Sequence, residues 1–99
     1  MDVLKGVLKD SEKYYKDLEK EIKKRLLNLP EGSIKKRNLK GHAYYYLQKR
    51  EGNKVVHNYL GKLQPEEIKV KLRERKELKA ELKKVNEALR LLKKSNKSA

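Results

Sequence analysis

His42-Ala43-Tyr44-Tyr45-Tyr46-Leu47-Gln48-Lys49-Arg50-Glu51-Gly52-Asn53-Lys54-Val55-Val56-His57-Asn58-Tyr59-Leu60-Gly61 decides how this chain folds. His42 to Glu51 is the densest β-propensity run in the sequence, with three consecutive tyrosines and a leucine. Gly52-Asn53 is a two-residue turn signal, and Lys54 to Leu60 resumes a strand with Val55, Val56 and Tyr59 before Gly61 ends it. Upstream, Ser33 to Leu39 carries Ile34 and Leu39 among basic residues and reads as an edge strand, closed by the turn Lys40-Gly41. Three strands with turns this short predict an antiparallel β-meander over residues 33–61.

The hydrophobic period differs on either side. Leu4, Leu8, Tyr15, Leu18, Ile22, Leu26 and Leu29, with Ser11 in the gap, are spaced by threes, fours and their sums. That spacing predicts a helix over residues 1–29 with one apolar stripe. Asn28-Leu29-Pro30-Glu31-Gly32 stops it, because Pro30 disfavours a helical Leu29 and Gly32 permits a reversal. Gln64-Pro65-Glu66-Glu67 opens a second helix over residues 65–94, with the proline and the acids in its first turn. Leu78, Leu82, Val85, Leu89 and Leu92 form a heptad seam, while Arg75 occupies a core-type position. The tail, Ser95 to Ala99, is expected to fray. The expected class is α+β in a single domain, residues 1–99: long helix, three-stranded antiparallel meander, long helix. The helices pair either as an antiparallel coiled coil within the chain or across a homodimer.

Composition limits the function. A chain of 99 residues that is 36% hydrophobic, with no Trp and no Phe, buries a modest core and has little material for a catalytic pocket. The absence of cysteine excludes disulfides, thiolate chemistry and Cys-based zinc sites. Neither a G-x-x-x-x-G-K-[ST] loop nor H-E-x-x-H occurs. His42 and His57 fall on neighbouring predicted strands, close enough to meet, but have no acid beside them to complete a metal site. No enzyme, cofactor or metal is expected. The N-terminal residues lack the pattern of a signal peptide and no apolar run is long enough to span a bilayer, so a cytoplasmic location is expected and a membrane partner is not.

Lys plus Arg number 28 against 14 Asp plus Glu, a formal net charge of +14. Self-repulsion of that size opposes compactness unless a polyanion offsets it, although Lys-rich composition also accompanies AT-rich or thermophilic genomes. On the second strand, alternation places Ala43, Tyr45, Leu47 and Lys49 on the expected core face. Tyr44, Tyr46, Gln48 and Arg50 then face solvent, unless each helix covers one face of the sheet, in which case Tyr44 and Tyr46 are structural. Tyr59 is assigned with Tyr45 to the core, since tyrosine is the only large aromatic available. Lys35, Lys36, Arg37, Lys40 and Lys54 flank the tyrosines. Cations neutralise phosphates and aromatic rings stack on bases, so Lys35, Lys36, Arg37, Lys40, Tyr44, Tyr46, Arg50 and Lys54 are the candidate nucleic-acid-binding residues. Lys69, Lys71, Arg73, Arg75 and Lys76 would extend the basic surface along the second helix. Edge-strand lysines also guard against aggregation, which accounts for part of the charge without a ligand.

Gly32-Ser33-Ile34, then Tyr44-Tyr45-Tyr46-Leu47-Gln48-Lys49-Arg50-Glu51-Gly52-Asn53-Lys54-Val55, then Tyr59-Leu60-Gly61 carry a resemblance. The chain resembles a family of small uncharacterised proteins of bacteria, archaea, phages and mobile elements. That family shares G-S-I, Y-x-Y-L-x-x-R-E-G-x-K-V and Y-L-G between charged helices. The resemblance implies the helix–meander–helix layout and roles for Arg50, Glu51, Gly52, Lys54 and Gly61. The R-E-G-x-K-V segment is more loosely similar to one near the start of some DDE transposases, whose catalytic acids have no counterpart here. This similarity implies association with DNA rather than RNA. The expected function is a non-catalytic nucleic-acid-binding accessory protein of phage, mobile-element or regulatory type. The alternative is a module that docks on an acidic protein or nucleoprotein, such as an anti-CRISPR-like inhibitor of a host nuclease.

Overall fold

The computed structural model describes residues 2–98. The element order is α1 (Asp2–Leu27), β1 (Ser33–Leu39), β2 (His42–Glu51), β3 (Lys54–Gly61) and α2 (Glu66–Ser98). The α+β layout therefore follows the sequence pattern closely, strand by strand. The chain divides into two compact units: residues 29–76, and residues 1–28 with 77–99.

The helical unit is an antiparallel pair within one chain. Ile22, Val85 and Leu89 form its buried centre, and Tyr15, Leu18, Leu26, Leu78 and Leu82 pack around them. These are the stripe of α1 and the heptad seam of α2, so each helix buries the other's apolar face. At the end of α1 the Asn28 backbone N–H donates to the Arg25 carbonyl at 3.1 Å, and its side-chain amide to the Lys24 carbonyl. Lys24 and Arg25 in that last turn complement the helix dipole. Early α1 meets late α2 where the Asn96 amide donates to the Glu12 carboxylate at 2.6 Å. Lys16 lies 3.1 Å from the same carboxylate. Hydrogen bonds first from Lys16 and then from Asn96 hold the Glu12 pKa below the ordinary glutamate value.

Two details of the helices differ from the expected stripe. Leu4 is 62% exposed and lies two turns before the Glu12–Asn96 contact. Leu29 lies beyond the end of α1 and is buried in the meander unit instead. At the other end, α2 continues past Lys94 to Ser98, so residues drawn as a frayed tail are helical, and Ala99 lies outside the described residues.

The meander has strand order β1-β2-β3, with both neighbours antiparallel. Leu39 pairs with His42 across Lys40 (φ 50°) and Gly41 (φ 82°). Two successive positive φ values make this a type I′ turn, whose twist suits a hairpin. Glu51 pairs with Lys54 across Gly52 (φ 61°) and Asn53, the glycine-first pattern of a type II′ turn. The second hairpin slips by one residue. Tyr46 pairs with Tyr59 but Tyr45 pairs with Gly61, which leaves Leu60 as a bulge. Tyr45 and Leu47 are buried on one face of the sheet. In the same unit Ile34, Val56, Leu60, Ile68 and Leu72 are half-buried. Arg75, in its core-type position on α2, is only 16% exposed and ion-pairs with Glu31 at 2.9 Å.

Candidate functional site

Cross-strand register sorts the candidate residues onto two faces. Residues paired across an antiparallel ladder share a face. Lys35 pairs with Tyr46, Arg37 with Tyr44, Tyr46 with Tyr59, Gln48 with His57, and Arg50 with Val55. Together they form one open face, opposite the buried Tyr45 and Leu47. Lys36 pairs with Tyr45, and Lys54 pairs with Glu51, so both lie on the other face. Lys40 sits in the first turn. Five of the eight candidates thus share the open face: Lys35, Arg37, Tyr44, Tyr46 and Arg50.

Tyr59 belongs with them rather than in the core. It is 55% exposed, with its ring 5.4 Å from Tyr46 and 6.4 Å from Tyr44. The three rings make a cluster spanning β2 and β3, tilted against one another by 42° and 54°. Two cations complete it. The Arg37 guanidinium lies 5.3 Å from the Tyr46 ring centre. The Lys62 ammonium, just past the bulge, lies 5.8 Å from that of Tyr44. Both distances are within cation–π range. Lys62 carries no strand alternation to announce it, and the bulge before it hides its placement from the sequence.

Charge on this surface is one-sided. Residues 33–61 hold seven Lys or Arg and a single acid, Glu51. Glu51 points to the opposite face, where it pairs with Lys49 at 3.1 Å. No strand position on the open face is acidic. Arg50 lines a shallow depression of about 340 Å³ together with Glu31, Gly32, Ser33, Gln48, Lys49 and Val55, so the one acid near this end of the face is Glu31, which ion-pairs with Arg75. His57 shares a hydrogen bond with Gln48 at 3.2 Å. His42 is six residues away along β2, about 20 Å in an extended strand, so the two histidines do not meet. Among the described residues no cluster of metal-ligating side chains occurs.

The cations of α2 are arranged differently. Lys69 is held by Gln64 and Glu66, Lys71 by Glu67, and Arg75 by Glu31. The basic stripe expected there is in large part a set of ion pairs. No described helix is long and apolar enough to cross a membrane.

These features define a class: a small basic helix–meander–helix module with a tyrosine cluster on the open side of its sheet. A family described as Domain of unknown function (DUF6788) matches residues 12–70, which contain the whole meander, and the chain belongs to that family. Comparison with curated proteins and with solved structures gives no match.

Proposed function

We propose that the protein is a non-catalytic nucleic-acid-binding module that uses the open face of its sheet. The observation that carries this reading is a face with no acid at its strand positions, where three tyrosine rings are flanked by Lys35, Arg37, Arg50 and Lys62. Phosphates find cations there and bases find rings. The role is that of an accessory protein, of phage, mobile-element or regulatory type, acting in the cytoplasm on DNA in preference to RNA.

Titration of a labelled oligonucleotide at low salt, followed by anisotropy, tests it. Micromolar or tighter binding is expected. If the four open-face cations each neutralise one phosphate, log K falls against log salt with a slope of about −3 to −4. Replacing Lys35, Arg37, Arg50 and Lys62 together by Gln abolishes most of the affinity, whereas replacing Lys36 and Lys54 changes it little. No binding to any nucleic acid at low ionic strength would sink the reading. In that event the exposed Tyr59 and Val55 within the same basic rim favour docking on an acidic protein or nucleoprotein. Nuclease-resistant co-purification with one defined partner would then identify it.

A further inference from the structure

We infer that the open face takes nucleic acid as a single strand, with bases laid on Tyr44, Tyr46 and Tyr59 and phosphates against the surrounding cations. The inference rests on the nucleic-acid reading of that face and adds which form is bound.

The position of the rings decides between strand and duplex. A B-form major groove is about 12 Å wide and admits a helix or a two-stranded ribbon. Neighbouring strands lie about 4.8 Å apart, so a three-stranded sheet spans about 10 Å between its edge strands before side chains are added. Tyr44 and Tyr46 stand on the middle strand, with Lys35 and Arg37 on one side and His57 and Tyr59 on the other. A duplex laid on this face touches the outer side chains with its phosphates and never brings base edges to the rings. An unpaired strand has no such obstacle, because its bases turn out of the stack and expose their π-faces.

The local geometry agrees. The rings stand beside one another at a tilt; Tyr44 and Tyr46 are half-buried and Tyr59 is 55% exposed, so Tyr59 offers the most open ring surface. Arg37 and Lys62 already sit over Tyr46 and Tyr44, so each of these rings comes with a cation a phosphate can reach. From Tyr44 to Arg50 the middle strand runs about 20 Å, room for two or three stacked bases by the measure of other aromatic sheets. With the Lys and Arg side chains set against phosphates, the remaining base-edge reader, the Gln48 carboxamide, is engaged by His57. Weak sequence preference follows. A second copy of the chain is a poor occupant, since two faces with basic and no acidic strand positions repel.

The test compares one mixed sequence of about 20 nucleotides in three forms: single-stranded DNA, single-stranded RNA and duplex DNA. Each is titrated with the full chain at low salt. Single strands are expected to bind at least about tenfold tighter than duplex, and the two single-stranded arms say which sugar is preferred. Tyr59→Ser and Tyr46→Leu should each weaken single-strand binding by about five- to 150-fold, while duplex affinity stays within about twofold. If Tyr46→Leu melts the fold by circular dichroism, the exposed Tyr59 carries the comparison alone. Duplex binding as tight as single-strand binding, or equal losses on both forms, overturns this inference and leaves nucleic-acid binding standing. Binding to no form overturns both. A free chain that sediments as a dimer, and becomes monomeric with Tyr59→Ser, assigns the face to a second copy and also overturns it.

Discussion

Gly32 shows how much one residue position can require. Its φ of 121° lies where side chains are rarely tolerated, and a Cβ there would sit 2.5 Å from the Gln48 carbonyl oxygen and 3.2 Å from Leu47. The backbone enters β1 against β2 at this point, so the obstruction is main chain and cannot rotate away. Gly32→Ala is expected to cost about 1–3 kcal/mol from the conformation alone, with the clash in addition. At about 4–8 °C per kcal/mol for a domain of this size, a thermal melt reads the loss directly. An unchanged melting temperature would mean that the chain enters the sheet by another path. Gly41 and Gly52 also have positive φ, but a Cβ there would point into open space.

At the scale of elements, the two halves of α2 do different work. From Glu77 onward it supplies the seam whose Val85 and Leu89 are buried with Ile22 of α1, and its first turns belong to the meander unit. Ile22→Ala and Leu89→Ala should each destabilise the protein by about 2–4 kcal/mol, as truncation inside an apolar cluster does. Denaturant titration monitored by helical circular dichroism checks this, and a loss below about 1 kcal/mol would mean the helices are held otherwise. The helices and strands were legible because turn glycines and a change of period mark their ends. The faces were less so. In β3, Val55, His57 and Tyr59 alternate with Val56, Asn58 and Leu60, and both sets mix apolar with polar. Only pairing with Tyr46 puts Tyr59 on the open side. In β1 the run Lys35-Lys36-Arg37 likewise conceals which cation shares the face of Ile34. Arg75 looked like a defect in a hydrophobic stripe, and its partner Glu31 lies 44 residues away, where no local spacing points to it.

Over the whole molecule the net charge of +14 works against folding. Partly exposed i,i+4 pairs such as Lys16–Glu12 and Lys23–Glu19 recover little of that. Raising ionic strength from about 0.01 M to about 0.15 M shortens the screening length from about 30 Å to about 8 Å. The denaturation midpoint of the free chain should therefore rise with salt while its affinity for polyanions falls. A midpoint that drops with salt would show that ion pairs outweigh the net repulsion. The tyrosine cluster has an optical consequence as well. The chain has no tryptophan, so its near-ultraviolet emission comes from six tyrosines, and three of the six stand on the open face. About half of the native fluorophores thus lie where a ligand would land, and the unlabelled protein can report by quenching whether that surface is occupied.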